Sequence, residues 1–486
     1  MGVNDYALSL RQLDRFYAGK VATVPRPSVC RILEAEFGYS VKQLLGPAAD
    51  VAAGGHDGDL VGHSDRTLRT LEFVSWMADE SNLPFDGLYA AVAERADKLS
   101  AEPVAARAAC DHARGAIDRA QIAEAVHSYY GEPRTGFYRA TVGGSPFSLT
   151  VLTDSRWLGL EMPLDADHQD FRLSRPEAAP FFADVTPTAI GAAVARLATI
   201  EITDTVLVNN PLYRLTQVDI SPSRISATLG VTTFATYALS ADLLEGELLD
   251  MLAGLSDVRQ GRRLPLRDQY LPSIASARSL DQRICAGGPA CLVAIARPDD
   301  FLLVIQERSR RVINVAGRLA VIPKAFHQPV GEVHETALSE SIERELEEEL
   351  LGRQDLEEVS AAGRRAAPRH RQTISEPMSW LLEHPEAYRL VCTGFGINML
   401  SGNYEFACAA IIDDLSWWDA YGNRVQANWE AMRLHCYSSR DTEGLAKLIA
   451  DRRWSNEGLF ALLEGLRCLS RHDPSRVAIP PIEVGA

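Results

Sequence analysis

The chain has 486 residues, of which 46% are hydrophobic, and its 49 basic and 65 acidic residues give a formal net charge of −16. This excess of acid excludes a sequence-wide electrostatic attraction to nucleic acids or to anionic membranes, so any contact with DNA has to be local. The chain is longer than one hydrophobic core usually organises, which predicts two or three domains.

The eight cysteines stand singly, and none belongs to the C-x-x-C pair that is typical of zinc and redox sites. We therefore interpret them as reduced core residues. The first residues lack the positive and apolar regions of an export signal, and no apolar run approaches the roughly 20 residues of a membrane span. We expect a cytoplasmic protein that has no membrane partner.

Residues 1–46 are predicted to form short helices. Leu10, Leu13 and Phe16 recur at helical spacing, and a second helical stretch follows a proline-bearing turn. Residues 47–65 are rich in Gly, Ala and Asp and show little periodicity, so we interpret them as a linker.

Residues 66–280 are predicted to form a central domain, helical at first and then α+β. The helical pattern runs to about residue 130, and two alternating, β-prone runs that flank Gly143-Gly144 then predict a hairpin. Further elements are predicted at 188–197 (helix), 213–220 and 225–237 (strands) and 241–252 (helix). We assign no chemistry to this part of the chain.

Residues 281–486 form the last predicted domain. Two apolar runs, 290–296 and 301–305, are separated by a turn-prone Arg-Pro-Asp-Asp sequence and predict two strands. A helix is predicted further on, because Leu338, Ile342, Leu346 and Leu350 repeat at every fourth position and define one buried stripe.

Three glutamates of this helix, Glu345, Glu348 and Glu349, stand at positions i, i+3 and i+4, so their carboxylates are close together and repel one another. Mg²⁺ or Mn²⁺ removes that repulsion, because these cations take oxygen ligands and share protein carboxylates with the phosphates of a substrate. Arg344 either orients one of the glutamates or contacts a phosphate, and we favour the orienting role.

The run Arg344-Glu345-Leu346-x-Glu348-Glu349 resembles the core of the Nudix box, whose pattern is G-x5-E-x7-R-E-U-x-E-E-x-G-U with U a bulky apolar residue. The resemblance implies a Nudix-like α/β/α sandwich with a mixed sheet, in which Glu345, Glu348 and Glu349 ligate the metal and Arg344 orients them. In that family the metal activates hydrolysis of a nucleoside diphosphate linked to another group. A nucleotide-like or other phosphate-bearing small molecule is therefore the implied ligand.

Three positions depart from the box. Aligned on Arg344, its first glycine falls on Val330, its isolated glutamate on Thr336 and its later glycine on Leu351. Gly331, Glu335 and Gly352 each stand one residue away. The domain is therefore either a hydrolase with a shifted loop or a module that binds its ligand without hydrolysing it. The remaining alternative is a solvated acidic helix without a site.

Five further residues are candidate ligand contacts because they lie on the strands and loops around the box: Arg308, Lys324, His327, Asn398 and Glu405. His327 is suited to act as an acid, a base or a ligand, although a hydrogen-bonded loop histidine is the commoner situation. The Gly-x-Gly sequence before Asn398 opens no predicted helix, which favours a turn over a phosphate loop.

The N-terminal sequence from Leu10 to Leu45 is similar to the latter half of a phage-repressor-type helix-turn-helix domain. The resemblance implies that residues 11–18 enter the major groove of DNA, with Arg11 and Arg15 as the contacts. The two helices that normally come first have almost no room, so the motif is truncated. Six basic and four acidic residues up to Gly46 give only a weak positive charge. A dimerisation or docking helix pair is the alternative.

Most of the chain also resembles an actinobacterial group that is usually described as helix-turn-helix transcriptional regulators. We therefore predict a multidomain α+β protein with a truncated helix-turn-helix-like segment, a central α+β domain and a Nudix-like domain. The predicted function is metal-dependent binding, with or without hydrolysis, of a nucleoside-diphosphate-like ligand. The alternative is a DNA-binding regulator in which the Nudix-like domain is a non-catalytic sensor. A homodimer is its expected assembly.

Overall fold

The computed structural model describes residues 65–131, 135–174, 186–203, 205, 207–255, 263–309, 317–329, 336–351, 374–426 and 431–486. In these residues the chain is a mixed α+β protein with a large mixed sheet. The predicted N-terminal helices, with Arg11 and Arg15, and nearly all of the predicted linker lie outside them. Among the described helices, none has the length and apolar character that crossing a membrane requires.

The described helices are numbered in chain order. They are α1 (Asp65–Ser81), α2 (Phe85–Ala101), α3 (Val104–Gly115), α4 (Arg119–Tyr130), α5 (Pro187–Glu201), α6 (Phe234–Ala238), α7 (Leu243–Leu252), α8 (Pro265–Tyr270), α9 (Ile274–Arg278), α10 (Leu338–Glu349), α11 (Glu376–Glu383), α12 (Leu415–Tyr421), α13 (Thr442–Ala450) and α14 (Asn456–His472). Several begin at a polar residue whose side chain accepts a hydrogen bond from a backbone N–H of the first turn, as Asp118 does for α4 and Ser455 for α14.

The described strands are β1 (Phe137–Val142), β2 (Ser145–Leu152), β3 (Leu158–Pro163), β4 (Gln169–Leu173), β5 (Pro211–Ser221), β6 (Arg224–Thr233), β7 (Gly287–Ala296), β8 (Phe301–Arg308), β9 (Leu319–Val321), β10 (Tyr388–Asn398), β11 (Asn403–Ile412), β12 (Ala431–Ser438) and β13 (Ile482–Gly485). Ten of them form one sheet with the order β12-β8-β7-β11-β10-β2-β1-β13, to which β3 adds beside β10 and β9 beside β8. β7 and β11 run parallel, whereas the other described neighbours are antiparallel, so the sheet is mixed.

Helices cover both faces of the large sheet. Side chains alternate along β11, so that Phe406 and Cys408 enter one core whereas Ala407 and Ala409 enter the other. The first core takes the apolar residues of α10 and Trp417 of α12, and the second takes those of α13 and α14. Both faces of β7 and β11 are buried, which explains their nearly continuous apolar sequences.

A second, three-stranded sheet has the order β4-β6-β5. It joins the large sheet through β5, since the N–H of Tyr213 donates to the carbonyl of His327 at 2.9 Å and the N–H of Leu215 donates to the carbonyl of Cys285 at 2.8 Å. Phe171, Leu215 and Leu229 pack in the core that contains the apolar stripe of α10. The three-stranded sheet therefore supports this helix.

The predicted domain boundary near residue 280 is not confirmed. β1 and β2 form the predicted hairpin, with Gly143 and Gly144 in left-handed backbone conformations at its turn. β2 then pairs with the end of β10, where Leu152 lies opposite Ile397. Strands on both sides of residue 280 thus belong to one sheet. The alternation of apolar and polar residues within a strand does not specify which strand it pairs with.

The predicted strand at 225–237 is wrong at its C-terminal end. β6 ends at Thr233, and residues 234–238 form α6 instead. The hydroxyl of Thr233 accepts a hydrogen bond from the N–H of Thr236 at 3.2 Å and so caps the short helix. The apolar and aromatic residues after Thr233 resemble those of a strand, but this cap ends the extended conformation.

Gly287 illustrates how closely β7 and β11 approach each other. A Cβ atom at this position would lie 1.9 Å from the carbonyl oxygen of Tyr404, which is backbone and has little freedom to move. We expect Gly287→Ala to lower the free energy of unfolding by about 3 kcal/mol, the upper range for overpacked cores. Urea denaturation measures the change.

The control is Gly191→Ala in α5, where nothing lies within 4 Å of the added Cβ. Since alanine favours a helix, this variant should gain up to about 1 kcal/mol. Equal effects of the two substitutions would contradict the close approach at Gly287.

Candidate ligand and metal site

The helix α10 (Leu338–Glu349) carries the stripe that its sequence predicts. Leu338, Ile342 and Leu346 are buried against the three-stranded sheet and the large sheet. Its N-cap residue, Ala337, offers no side-chain acceptor. Gln169 of β4 takes that role, because its side-chain oxygen accepts a hydrogen bond from the N–H of Leu338 at 3.2 Å. The helix is therefore fixed from outside its own segment.

The charged residues of α10 are buried as well. Arg344, Glu345, Glu348 and Glu349, which we call the carboxylate face, retain only 1 to 8% of their accessible surface. The alternative of a solvated acidic helix is therefore wrong. Carboxylates in such surroundings need specific partners, because removing a charge from water costs several kcal/mol when nothing replaces the water.

Arg344 lies between two of the glutamates. One terminal nitrogen, Nη2, lies 2.6 Å from Oε1 of Glu345, and the other, Nη1, lies 3.5 Å from Oε2 of Glu348. In the amide orientation that pairs donors with acceptors, both nitrogens also donate to the side-chain oxygen of Gln328 at 3.0 and 3.1 Å. The guanidinium thus holds the tighter contact to Glu345 and the looser one to Glu348.

Glu349 is tied to the large sheet by neutral donors. Its Oε2 accepts from the side-chain amide of Gln306 on β8 at 3.2 Å, and its Oε1 accepts from the backbone N–H of Lys324 at 3.1 Å. Two of the three predicted metal ligands therefore contact Arg344, and the third contacts β8 and the segment that follows β9.

Mg²⁺ and Mn²⁺ prefer oxygen donors of the kind that these three glutamates offer at one helical face. Within the described ranges, no group of three His, Cys, Asp or Glu side chains is arranged to hold a metal ion. At the carboxylate face, the Arg344 guanidinium lies between Glu345 and Glu348. The donor set fits the cation provided that the guanidinium turns away from Glu348.

Two of the departures from the box are described. Thr336 stands where the box has its isolated glutamate. Its hydroxyl donates to the carbonyl of Phe171 at 2.9 Å and so ties the start of α10 to β4. Leu351 is buried and pairs with Gln426. The loop residues around Val330, with Gly331 and Glu335, and also Gly352, lie outside the described residues.

Lys324, Asn398 and Glu405 come together with Glu457, a residue that our sequence interpretation did not select. We call these four residues the lysine centre. The Lys324 ammonium lies 2.5 Å from Oε1 of Glu457, and the Asn398 amide donates to its Oε2 at 3.3 Å. Glu457 stands in the first turn of α14 behind the cap Ser455. That capping pattern is the signal in the sequence that marks its position.

Glu405 is the residue of the lysine centre without a bonded partner. It is only 4% exposed and makes no hydrogen bond or ion pair with the described residues. Its neighbours across β7 and β10 are Gly288 and Gly396, which contribute no side chains. Burial raises the pKa of Glu405 to about 8; Lys324 opposes the rise, and Glu457 adds to it.

The raised pKa of Glu405 makes stability depend on pH. The folded chain holds this proton up to about pH 8, whereas the unfolded chain loses it near the ordinary value of 4.5. Stability should therefore fall as pH rises between these values, by up to about 1.4 kcal/mol per pH unit for this group. Glu405→Gln should remove that part of the slope and be more stable than the wild type at pH 8.

The measurement is urea denaturation of both proteins between pH 5 and pH 9. Glu245, a neighbour whose pKa burial raises to about 7, adds a slope of the same sign that both proteins share. The control is Glu102→Gln, at an exposed position between α2 and α3. Parallel curves for wild type and Glu405→Gln would show that Glu405 is not protonated in the folded chain.

His327 and Arg308 lie between the carboxylate face and the lysine centre. The imidazole of His327 is buried beside the rings of Tyr213 and Phe171, with centroids 4.7 and 6.0 Å away, and burial lowers its pKa to about 3. It is therefore a neutral part of the packing between β5 and α10. Arg308 is buried at the end of β8 and lies close enough to Lys324 to act against its protonation.

Comparison with known proteins does not assign the chain to a family. No protein-family model matches the chain, and no curated protein matches it. The assignment of a function therefore depends on the residues and contacts described above.

Proposed function

We propose that the carboxylate face binds Mg²⁺ or Mn²⁺ and, through the cation, a nucleotide-like ligand that carries a diphosphate. The observation that carries the proposal is the burial of Glu345, Glu348 and Glu349 within one turn and a half of α10. A fold gains no stability by placing three carboxylates side by side in a buried position. A divalent cation gives this arrangement a use.

The layering of the chain supports the proposal. α10 lies on one face of a mixed sheet and α14 on the other, which is the sandwich that the Nudix resemblance implies. When bound, the cation supplies charge that polarises a phosphoryl oxygen and lowers the pKa of a bound water.

The residues of the chain have separate tasks in this proposal. Glu345, Glu348 and Glu349 hold the cation, and Glu349 is already oriented by Gln306 and the N–H of Lys324. Arg344 keeps its close contact with Glu345 while it releases the longer one with Glu348. The freed nitrogen then faces the phosphates, which suit its planar donor geometry.

Binding has more support than hydrolysis. Thr336, at the position of the isolated glutamate, has no ionisable group, and its hydroxyl is engaged with Phe171. This observation favours the second candidate function, in which the Nudix-like part is a ligand sensor. The DNA contacts of such a regulator, Arg11 and Arg15, and its dimer remain predictions.

A calorimetric titration with MnCl₂, followed by ADP-ribose in the presence of Mn²⁺, tests the proposal. Release of phosphorus-containing products is followed by anion-exchange chromatography of the same samples. Manganese-dependent binding with product formation supports a hydrolase, and the same binding without products supports a sensor. Absence of manganese binding contradicts both.

A ligand sensor in a DNA-binding regulator makes one more prediction. Its affinity for a selected DNA sequence should decrease with salt and change when the ligand is added. DNA binding that is insensitive to the ligand contradicts the sensor.

A further inference from the structure

A charged cleft lies on the outer side of the three-stranded sheet. It has a volume of about 740 Å³ and runs between β4, β5 and β6 on one side and the short turns Ser155–Trp157 and Leu280–Gln282 on the other. Cavities of roughly 300 to 1,000 Å³ hold small ligands. Trp157, Val218 and Ile397 provide apolar surface within it.

Most charges at the cleft are already paired. Arg156 donates to Asp154 at 3.0 Å, and Arg172 lies 2.6 Å from Asp170. These pairs stand at i and i+2 on their own segments, so they form without help from a ligand. The two members of each pair neutralise each other's charge, although the cleft remains polar.

Two exposed residues of opposite charge make neither a hydrogen bond nor an ion pair with the described residues. They are Arg278, at the end of α9, and Asp219, on β5, and both line the cleft. Only longer-range attraction links Arg278 to Asp154 and Asp219 to Arg156. One positive and one negative group in the same cavity match a ligand that carries both charges. A ligand with only negative charge would meet an unfavourable field, because four aspartates and three arginines line the cleft.

The strand β4 connects the cleft with the carboxylate helix. Its residues alternate between two sides, as in any strand. Asp170 and Arg172 line the cleft. The side chains of Gln169 and Phe171 point the other way. The side-chain oxygen of Gln169 accepts from the N–H of Leu338, and the backbone carbonyl of Phe171 accepts from the hydroxyl of Thr336, so β4 holds the start of α10. A shift of β4 therefore reaches the first turn of α10 directly.

We propose that the cleft binds a zwitterionic, peptide-like ligand, whose carboxylate pairs with Arg278 and whose ammonium pairs with Asp219. Occupation of the cleft holds β4 and thereby the start of α10. Regulation of the cation site by this ligand rests on the proposed function, whereas the binding site itself does not.

The first test is a calorimetric titration of the full chain with the tripeptide Ala-Phe-Ala with free termini. The same tripeptide with acetylated and amidated ends is the control probe. The free peptide should bind at least about tenfold more tightly than the blocked one, because only the free peptide carries both charges. Equal binding of the two peptides, or no binding of the free one, overturns the proposal.

Variants locate the binding. Arg278→Gln and Asp219→Asn should each weaken the free peptide about tenfold. The matched controls, Arg95→Gln and Asp97→Asn, change the same residue types at exposed positions of α2 and should leave the affinity unchanged. Circular dichroism verifies that each variant is folded. Equal losses in the cleft variants and the controls overturn the assigned contacts.

Hydrogen exchange of the amides in residues 338–349 tests the connection through β4 without any metal. The free peptide should slow their exchange in the wild type and have no effect in Arg278→Gln. Unchanged exchange in the wild type at saturating peptide overturns the connection. Because neither test uses a cation, their failure is separate from failure of the proposed function.

Discussion

Glu348→Gln is expected to weaken Mn²⁺ binding at least about tenfold, since a neutral amide replaces a charged oxygen ligand. The substitution keeps the shape of the side chain and an acceptor oxygen for Arg344, whose nitrogen lies 3.5 Å from the Glu348 carboxylate. The free energy of unfolding should therefore change by less than about 1 kcal/mol. Calorimetry with MnCl₂ gives the affinity, and urea denaturation gives the stability.

Glu347→Gln is the matched control on the same helix. Glu347 is as deeply buried as its neighbours, but its carboxylate accepts hydrogen bonds from the N–H and the hydroxyl of Ser375 at 3.0 and 2.5 Å. It fastens α10 to the entrance of α11 and takes no part in the proposed cation site. Its manganese affinity should stay within about twofold of the wild type. If both variants lose affinity equally, the cation does not depend on the carboxylate face.

Lys324→Met is expected to lower the free energy of unfolding by about 3 kcal/mol, because it leaves the Glu457 carboxylate buried without its cation. Glu457 is 1% exposed, and its contact with Lys324 is 2.5 Å long. The double variant Lys324→Met, Glu457→Gln removes both charges and should recover most of the loss. Urea denaturation of the wild type, the single variants Lys324→Met and Glu457→Gln, and the double variant completes a double-mutant cycle.

An exposed pair of nearly the same length provides the control. The Lys447 ammonium lies 2.6 Å from Glu443, and the two side chains retain 74 and 81% of their accessible surface. Lys447→Met should therefore change stability by no more than about 0.5 kcal/mol. Similar losses at Lys324 and Lys447 would contradict the assignment of Lys324 to a buried centre.

Local elements of the fold can be predicted from the sequence. The four-residue repeat of Leu338, Ile342 and Leu346 predicts α10 and the face that it buries, and both are confirmed. The apolar runs around residues 290 and 303 correspond to β7 and β8. In each case the periodicity of side chains along a single segment contains the information.

Contacts between distant segments are where prediction fails. Glu457 lies 133 residues from Lys324 in sequence, and the apolar residues around Glu457 do not show which charge it will meet. The pairing of β2 with β10 likewise joins residues near 150 with residues near 398. Such pairs depend on how whole layers pack, which a pattern within one helix or strand does not determine.

The charge of a segment also predicts its exposure poorly. Glu-rich helices usually face water, yet Glu345, Glu348 and Glu349 are buried. Their burial follows from the position of α10 between the two sheets, which is a property of the fold as a whole.

Anomalous scattering from crystals soaked in MnCl₂ shows whether the carboxylate face binds the cation. We expect one manganese peak within coordination distance of the carboxylates of Glu345, Glu348 and Glu349, with the Arg344 guanidinium turned away from Glu348. No manganese at these carboxylates, with Arg344 still between Glu345 and Glu348, would contradict it.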